Sequence, residues 1–219
     1  MYDDEYEVNQ IEQWVHFNQL YVGVNFDLYT KNLKFHEGKV IFSAPHSAQT
    51  VNEDGSVRAP EFAVGSLAQT LGEITENGFL ANLGFWNGMP NKDLLEHCYF
   101  KQTLLNLKPK FVFNLHGMKN TYGPDICIGT GDFSEKHHEL VDSMISIGEV
   151  FGFNVALNSP FDGKETGTIV QTMNSHNVDA LQISISANLR NIYGEDTQLP
   201  SELLEYFKTV LNNMPTLGQ

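Results

Sequence analysis

The chain has 219 residues and a formal net charge of −14, with 41% hydrophobic and 11% aromatic residues. That composition suits a globular domain with a core of its own and excludes a disordered chain. The acidic balance argues against nucleic acid and anionic membrane surfaces as partners, because both attract basic proteins.

Residues 4–20 carry Val8, Ile11, Val15 and Leu20 at helical spacing, so an amphipathic helix is expected there. Residues 39–44 are short, apolar and β-prone, as a buried strand should be. Asn52–Gly55 reads as a turn. Pro60 then opens "PEFAVGSLAQTLGEI", a helix with proline at its first position. Residues 91–107 read as a second helix, stopped by Pro109, and Lys110–Leu115 as another buried strand. Residues 134–151 form a third helix with Ser134 as N-cap. "FNVAL" is a short strand. "ALQISIS", residues 180–186, alternates strictly, with Leu181, Ile183 and Ile185 on one face. "SELLEYFKTVLNN" closes the chain as a helix capped by Ser201. Strands alternating with helices predict an α/β fold with a largely parallel sheet. No repeat or low-complexity linker divides the chain, so one domain over 1–219 is expected.

Cys98 and Cys127 form no CxxC, so neither a disulfide framework nor a zinc ribbon is suggested. "MYDDEYEVNQ" lacks the basic start and apolar run of a secretory signal. No apolar stretch approaches the ~18 residues of a membrane span. A cytoplasmic protein is the expectation. There is no GxxxxGK[ST], no GxGxxG and no GxSxG, and Gly129 and Gly131 in "CIGTGD" do not open a phosphate loop.

Two segments echo each other: "KVIFSAPHS" and "KFVFNLHGM". Each starts with Lys, runs through a strand, and ends in His followed by a small residue. As parallel neighbours they would bring His46 and His116 to the carboxyl edge, where open α/β sheets build their sites. Two imidazoles there are the start of a metal site. Glu61 is the candidate third ligand: it follows Pro60 in the first turn of the expected helix, fifteen residues after His46, and a loop of that length can fold back to the same edge. An acid in a first helical turn also suits the helix dipole with no metal at all.

Eleven of the thirteen cations are lysine; the two arginines are Arg58 and Arg190. Both lie beside the suspected segments, and arginine binds carboxylates bidentately. A surface ion pair is the plainer fate of either. His137 and His138 are adjacent and expected at the surface. His97 suits a packed or half-exposed role. His176 sits in a polar turn, and His16 and His36 lack neighbouring partners in sequence.

"PHS" after one strand, "NLHGM" after another and "ALQISISANLR" near the end resemble the N-formylglutamate amidohydrolase family. They also resemble the poly-γ-glutamate hydrolases and, more distantly, zinc carboxypeptidases. The likeness runs in order over about residues 39–191 and includes the glycine-containing "PFDGKETGT". It implies a three-layer α/β/α sandwich with a mostly parallel mixed sheet, as in zinc carboxypeptidases and other phosphorylase/hydrolase-like folds. It implies one zinc ion on His46, Glu61 and His116, serving amide hydrolysis. It implies that Arg190, and Arg58 with it, hold the carboxylate of a small or peptide substrate.

The sequence departs from that family where its late strand carries a glutamate, the general acid and base; here that position is Ser184. Serine takes no proton from water without a base beside it. Three readings follow. Glu165 or Asp162 in "FDGKETG" serves instead, the site reacts slowly without a base, or the scaffold binds a ligand without turning it over. Asn114 is a milder departure, standing where the family often has an acid that orients the imidazole. A plainer option also stands: both histidines are structural and the acidic surface serves a protein partner.

Overall fold

The computed structural model describes residues 33–48, 50–51, 57–82, 99–165, 167–191 and 198–214. The helix expected over 4–20 lies outside them, as do residues 91–98 of the second expected helix, with His97 and Cys98.

Three apolar runs form the middle of a seven-stranded sheet: β2 (Val40–Ala44), β6 (Phe111–Met118) and β9 (Asp179–Ser186), parallel neighbours in that order. β2 and β6 are covered on both faces and read as near-continuous hydrophobic segments, whereas β9 alternates, turning Gln182 and Ser184 to the pocket. β5 (Gly78–Asn82) lies parallel to β2, with β1 (Leu33–His36) antiparallel on its far side. Beyond β9 run β7 (Ile126–Gly129), antiparallel to it, and β8 (Val155–Leu157), parallel to β7. β3 (Thr50–Val51) and β4 (Val57–Arg58) pair as a separate ribbon.

α1 (Val64–Ile74), α3 (Ser134–Val150) and α5 (Gln198–Asn212) pack on one face, against Phe42, Phe113, Ile128, Leu181 and Ile183. α2 (Tyr99–Asn106) and α4 (Ile169–Ser175) cover the other, where Phe100, Leu104 and Met173 meet Ile41, Leu80 and Val112. The predicted α/β/α sandwich with a mostly parallel mixed sheet is the observed fold, and Leu181, Ile183 and Ile185 do share one core face.

Several boundaries differ. The first of these helices starts at Val64, not Pro60, because Ala63 adopts φ 63° and breaks the helical path. Ser134 is the first helical residue, and Phe133 holds the cap position. α5 begins at Gln198, so Ser201 lies within it, just after Pro200. Strands β1, β5 and β7 were not expected, nor was α4, which Thr168 caps by accepting from the Gln171 N–H at 3.2 Å.

His137 is a correction too. It is buried, edge-on to Phe111 with ring centroids 6.0 Å apart, and its Nε2 lies 3.3 Å from Asn174 Oδ1. Its neighbour His138 stays exposed. Burial holds the His137 imidazole below the ordinary histidine range, with the Asn174 hydrogen bond opposing. The folded state therefore binds fewer protons than the unfolded chain near the ordinary value of ~6.5, so stability rises with pH. We expect stability that is fully present above about pH 6.5 to fall as the solution is acidified through the depressed value. The limiting slope for one proton is ~1.4 kcal/mol per pH unit. Urea denaturation from pH 7.5 downward checks this. A His137→Gln variant with the same slope would remove His137 as its source.

Candidate metal centre

The strand register builds the centre. Ser43 of β2 pairs with Asn114 of β6, three residues before His46 and two before His116, so both histidines emerge at one edge. Between the two ligand segments the main chain is tied directly: the Glu61 N–H donates to the His46 carbonyl at 2.8 Å. Glu61 therefore sits in the loop before α1 and not in its first turn, and the helix dipole does not account for it. Its Oε2 accepts from the Gly117 N–H at 2.8 Å and lies 3.4 Å from His116 Nδ1. The His46 and His116 rings have centroids 5.2 Å apart. Ligand atoms of His46, Glu61 and His116 all lie within 4.8 Å of one another.

Two ligands bound tetrahedrally at zinc distances of ~2.0–2.1 Å stand about 3.4 Å apart. The Glu61–His116 edge already has that spacing, and two imidazoles with one carboxylate are a zinc donor set. The residues present fit the metal. For His116 to offer Nδ1, its proton must sit on Nε2. Asn114 Nδ2 lies 2.9 Å from Nε2 and its Oδ1 accepts from the Ser43 hydroxyl at 2.9 Å; with the amide turned over, its oxygen accepts the Nε2 proton and its NH2 donates to the Ser43 hydroxyl.

Beside the cluster lies a pocket of about 320 Å³. Its wall includes Asn114, Gln182 and Ser184 from the sheet, Lys101 from α2, and the 160–168 loop with Asp162 and Glu165. The loop packs onto the end of β7. Gly131 N–H donates to the Asp162 carbonyl at 2.7 Å, and a side chain at Gly129 would come within 2.9 Å of the Asp162 main chain. Thr168 Oγ1 donates to the Gly163 carbonyl at 3.0 Å. Ser184 stands opposite His116 on one side and Cys127 on the other, and is almost fully buried. Its hydroxyl accepts from the Gln182 amide at 3.3 Å, and an amide is no base. Burial pushes the Cys127 thiol up, away from thiolate chemistry.

Arg190 is found behind this wall and not in it. Its Nε donates to the Ile185 carbonyl at 3.0 Å, Nη1 to the Phe62 carbonyl, and Nη2 to the Met118 carbonyl at 3.3 Å. The guanidinium lies flat on Gly117, where a Cβ would sit 2.8 Å from Cζ. Burial pushes Arg190 down to about 10, the Glu61 carboxylate pulling the other way, so it stays charged at neutral pH. Its planar fork is spent on main chain around Glu61, which differs from the expected hold on a substrate carboxylate. Arg58 lies in β4 opposite Thr50, and its side chain lies outside the described residues. Lys101, the cation that does line the pocket, carried no signal in the sequence reading.

The N-formylglutamate amidohydrolase family model matches residues 100–190, a span that holds His116, Ser184 and Arg190. A comparison with curated protein sequences finds no match. Among solved structures, a bacteriophage poly-γ-glutamate hydrolase superimposes with TM-score 0.58 at 14% identity, covering 85% of this chain and 91% of that one. An N-formylglutamate amidohydrolase from Ralstonia eutropha gives 0.56 at 16%, covering 83% and 96%. A gene product of Agrobacterium tumefaciens gives 0.56 at 14%, covering 84% and 95%. At these identities the superpositions speak for the fold. The chain is thus similar in sequence to the N-formylglutamate amidohydrolase family over residues 100–190, and similar in fold to these hydrolases over most of its length.

Proposed function

We propose that this chain is a cytoplasmic, zinc-dependent amide hydrolase, similar to N-formylglutamate amidohydrolase. Its substrate is a small molecule or peptide with a free carboxylate, such as an N-acyl amino acid or a γ-glutamyl or C-terminal peptide. The observation that carries this reading is the His46–Glu61–His116 donor set, with ligand atoms within 4.8 Å, opening onto a pocket at the carboxyl edge of the sheet. Zinc bound there supplies an activated water and polarises an amide carbonyl. The chain's own residues do the rest. Gln182, whose Nε2 donates to Ser184, lines the pocket with its amide oxygen as a neutral acceptor for an amide N–H. Glu165, with Asp162 as the alternative, takes the proton that Ser184 cannot.

A second reading is favoured by one observation: the position beside His116 is Ser184, with an amide for a partner. On that reading the chain is a metal- or ligand-binding protein on the same fold, impaired in catalysis.

The test starts with metal content in protein purified without a histidine tag. Less than one zinc per chain, with none gained on dialysis, sinks the triad. With zinc present, N-acyl amino acids and γ-glutamyl peptides are assayed. Glu165→Gln is expected to lower kcat by ~100- to 10,000-fold with zinc content unchanged. An unchanged kcat removes Glu165 as the base. No turnover in the natural chain, and turnover gained in Ser184→Glu, would establish the second reading.

A further inference from the structure

Val40–Ala44 and Phe111–Leu115 are apolar but for one position in each, Ser43 and Asn114. These two are partners in the strand register, and both are buried. Polar side chains in the middle of a sheet are costly unless their hydrogen bonds are made. The Ser43 hydroxyl, the Asn114 amide and the His116 imidazole stand in a chain with two contacts of 2.9 Å. The register extends this row across three parallel strands as Ser43, Asn114 and Gln182, and the next row sets Ser184 beside His116. Apart from the imidazole, none of these side chains carries a charge.

Hydrogen bonding alone does not require an amide at 114. A carboxylate there would find the same partners, since the Ser43 hydroxyl and a His116 Nε2–H can both donate to it. What the amide changes is charge. A carboxylate behind a ligating imidazole makes the ring a stronger donor to its metal, and a neutral amide does so much less.

We infer that Asn114 is a positioning residue of the metal centre, which orients His116 for ligation through Nδ1 while leaving the ligand shell low in negative charge. A metal ion in such a shell is held less tightly and polarises a carbonyl more strongly than one backed by an acid. That suits a site where Ser184 supplies no base. The inference rests on the metal reading of the site and is tested first without turnover. Zinc affinity is measured by competition with a chelator. Asn114→Asp is expected to bind zinc roughly 10- to 100-fold more tightly, the reach of an outer-shell partner. Asn114→Leu, which leaves the ring without a partner, should bind it more weakly than the natural chain. A purely structural Asn114 would lose affinity in both variants; that result, or an unchanged affinity in Asn114→Asp, overturns the inference. On N-acyl amino acids the kcat of Asn114→Asp should fall as its zinc affinity rises, and a kcat that rises with affinity overturns the inference too. In the zinc-loaded natural chain, long-range 1H–15N spectra should show His116 bound through Nδ1 with its proton on Nε2. Ligation through Nε2 overturns the inference even if neither variant folds. A natural chain that takes up no zinc fails the metal reading and this inference with it. One that holds zinc without turnover fails the hydrolase reading alone and leaves the affinity test to decide.

Discussion

Replacing Glu61 with glutamine should lower zinc affinity by more than ~100-fold, since loss of an outer-shell partner alone typically costs 10–100-fold. The expected result is a chain that folds normally and holds no zinc after dialysis. Glutamine keeps an oxygen that can accept from the Gly117 N–H, so the 2.8 Å bond and the loop it holds need not be lost. What goes is the negative charge beside His116 Nδ1 and above Arg190. Metal content by mass spectrometry, with a melting curve beside it, separates the two effects. Full zinc occupancy in Glu61→Gln would remove Glu61 from the ligand set. The same loss of metal is expected of His116→Ala, with turnover falling alongside.

Arg190→Met is expected to act on folding first. It removes the donors to the carbonyls of Ile185, Phe62 and Met118 in a buried place. An unsatisfied buried acceptor costs ~1–3 kcal/mol, so a loss of about 3 kcal/mol or more is expected, or about 6–12 °C in Tm for a chain of this size. Because Phe62 follows Glu61, zinc affinity should drop as well. Lysine at this position cannot restore stability, having no planar fork to span three carbonyls. An arginine that received substrate would behave otherwise: Arg190→Met would keep its Tm and raise KM alone. Thermal melts and metal titration on one preparation decide between them.

What the sequence shows depends on how each residue sits. The paired strands ending in His46 and His116 were legible because a strand covered on both faces is apolar throughout, so a polar residue at its end stands out. β1, β5 and β7 escaped notice for the opposite reason: they are short, lie away from the sheet centre, and mix glycine, asparagine and lysine with their apolar positions. Glu61 was found as a ligand candidate but set in a helix it does not occupy, because proline's preference for a first turn was overridden by the left-handed Ala63. The arginines drew attention through their rarity, and the rule that arginine suits carboxylates pointed Arg190 the wrong way. A guanidinium serves three main-chain oxygens equally well, and nothing in a sequence shows which it faces. Lys101 was passed over because lysine on a helix normally faces water. Only the packing of α2 shows it turned inward.

The 2.8 Å hydrogen bond between the Glu61 N–H and the His46 carbonyl has one more consequence. It closes the intervening segment into a ring whose two ends meet at the metal ligands. Lengthening a closed loop costs only about 0.6 kcal/mol per doubling, and the pinned ends would not feel it. Chain inserted between β3 and β4 is therefore expected to leave the two ligands and their spacing in place, so this is where the fold can change length without changing its chemistry.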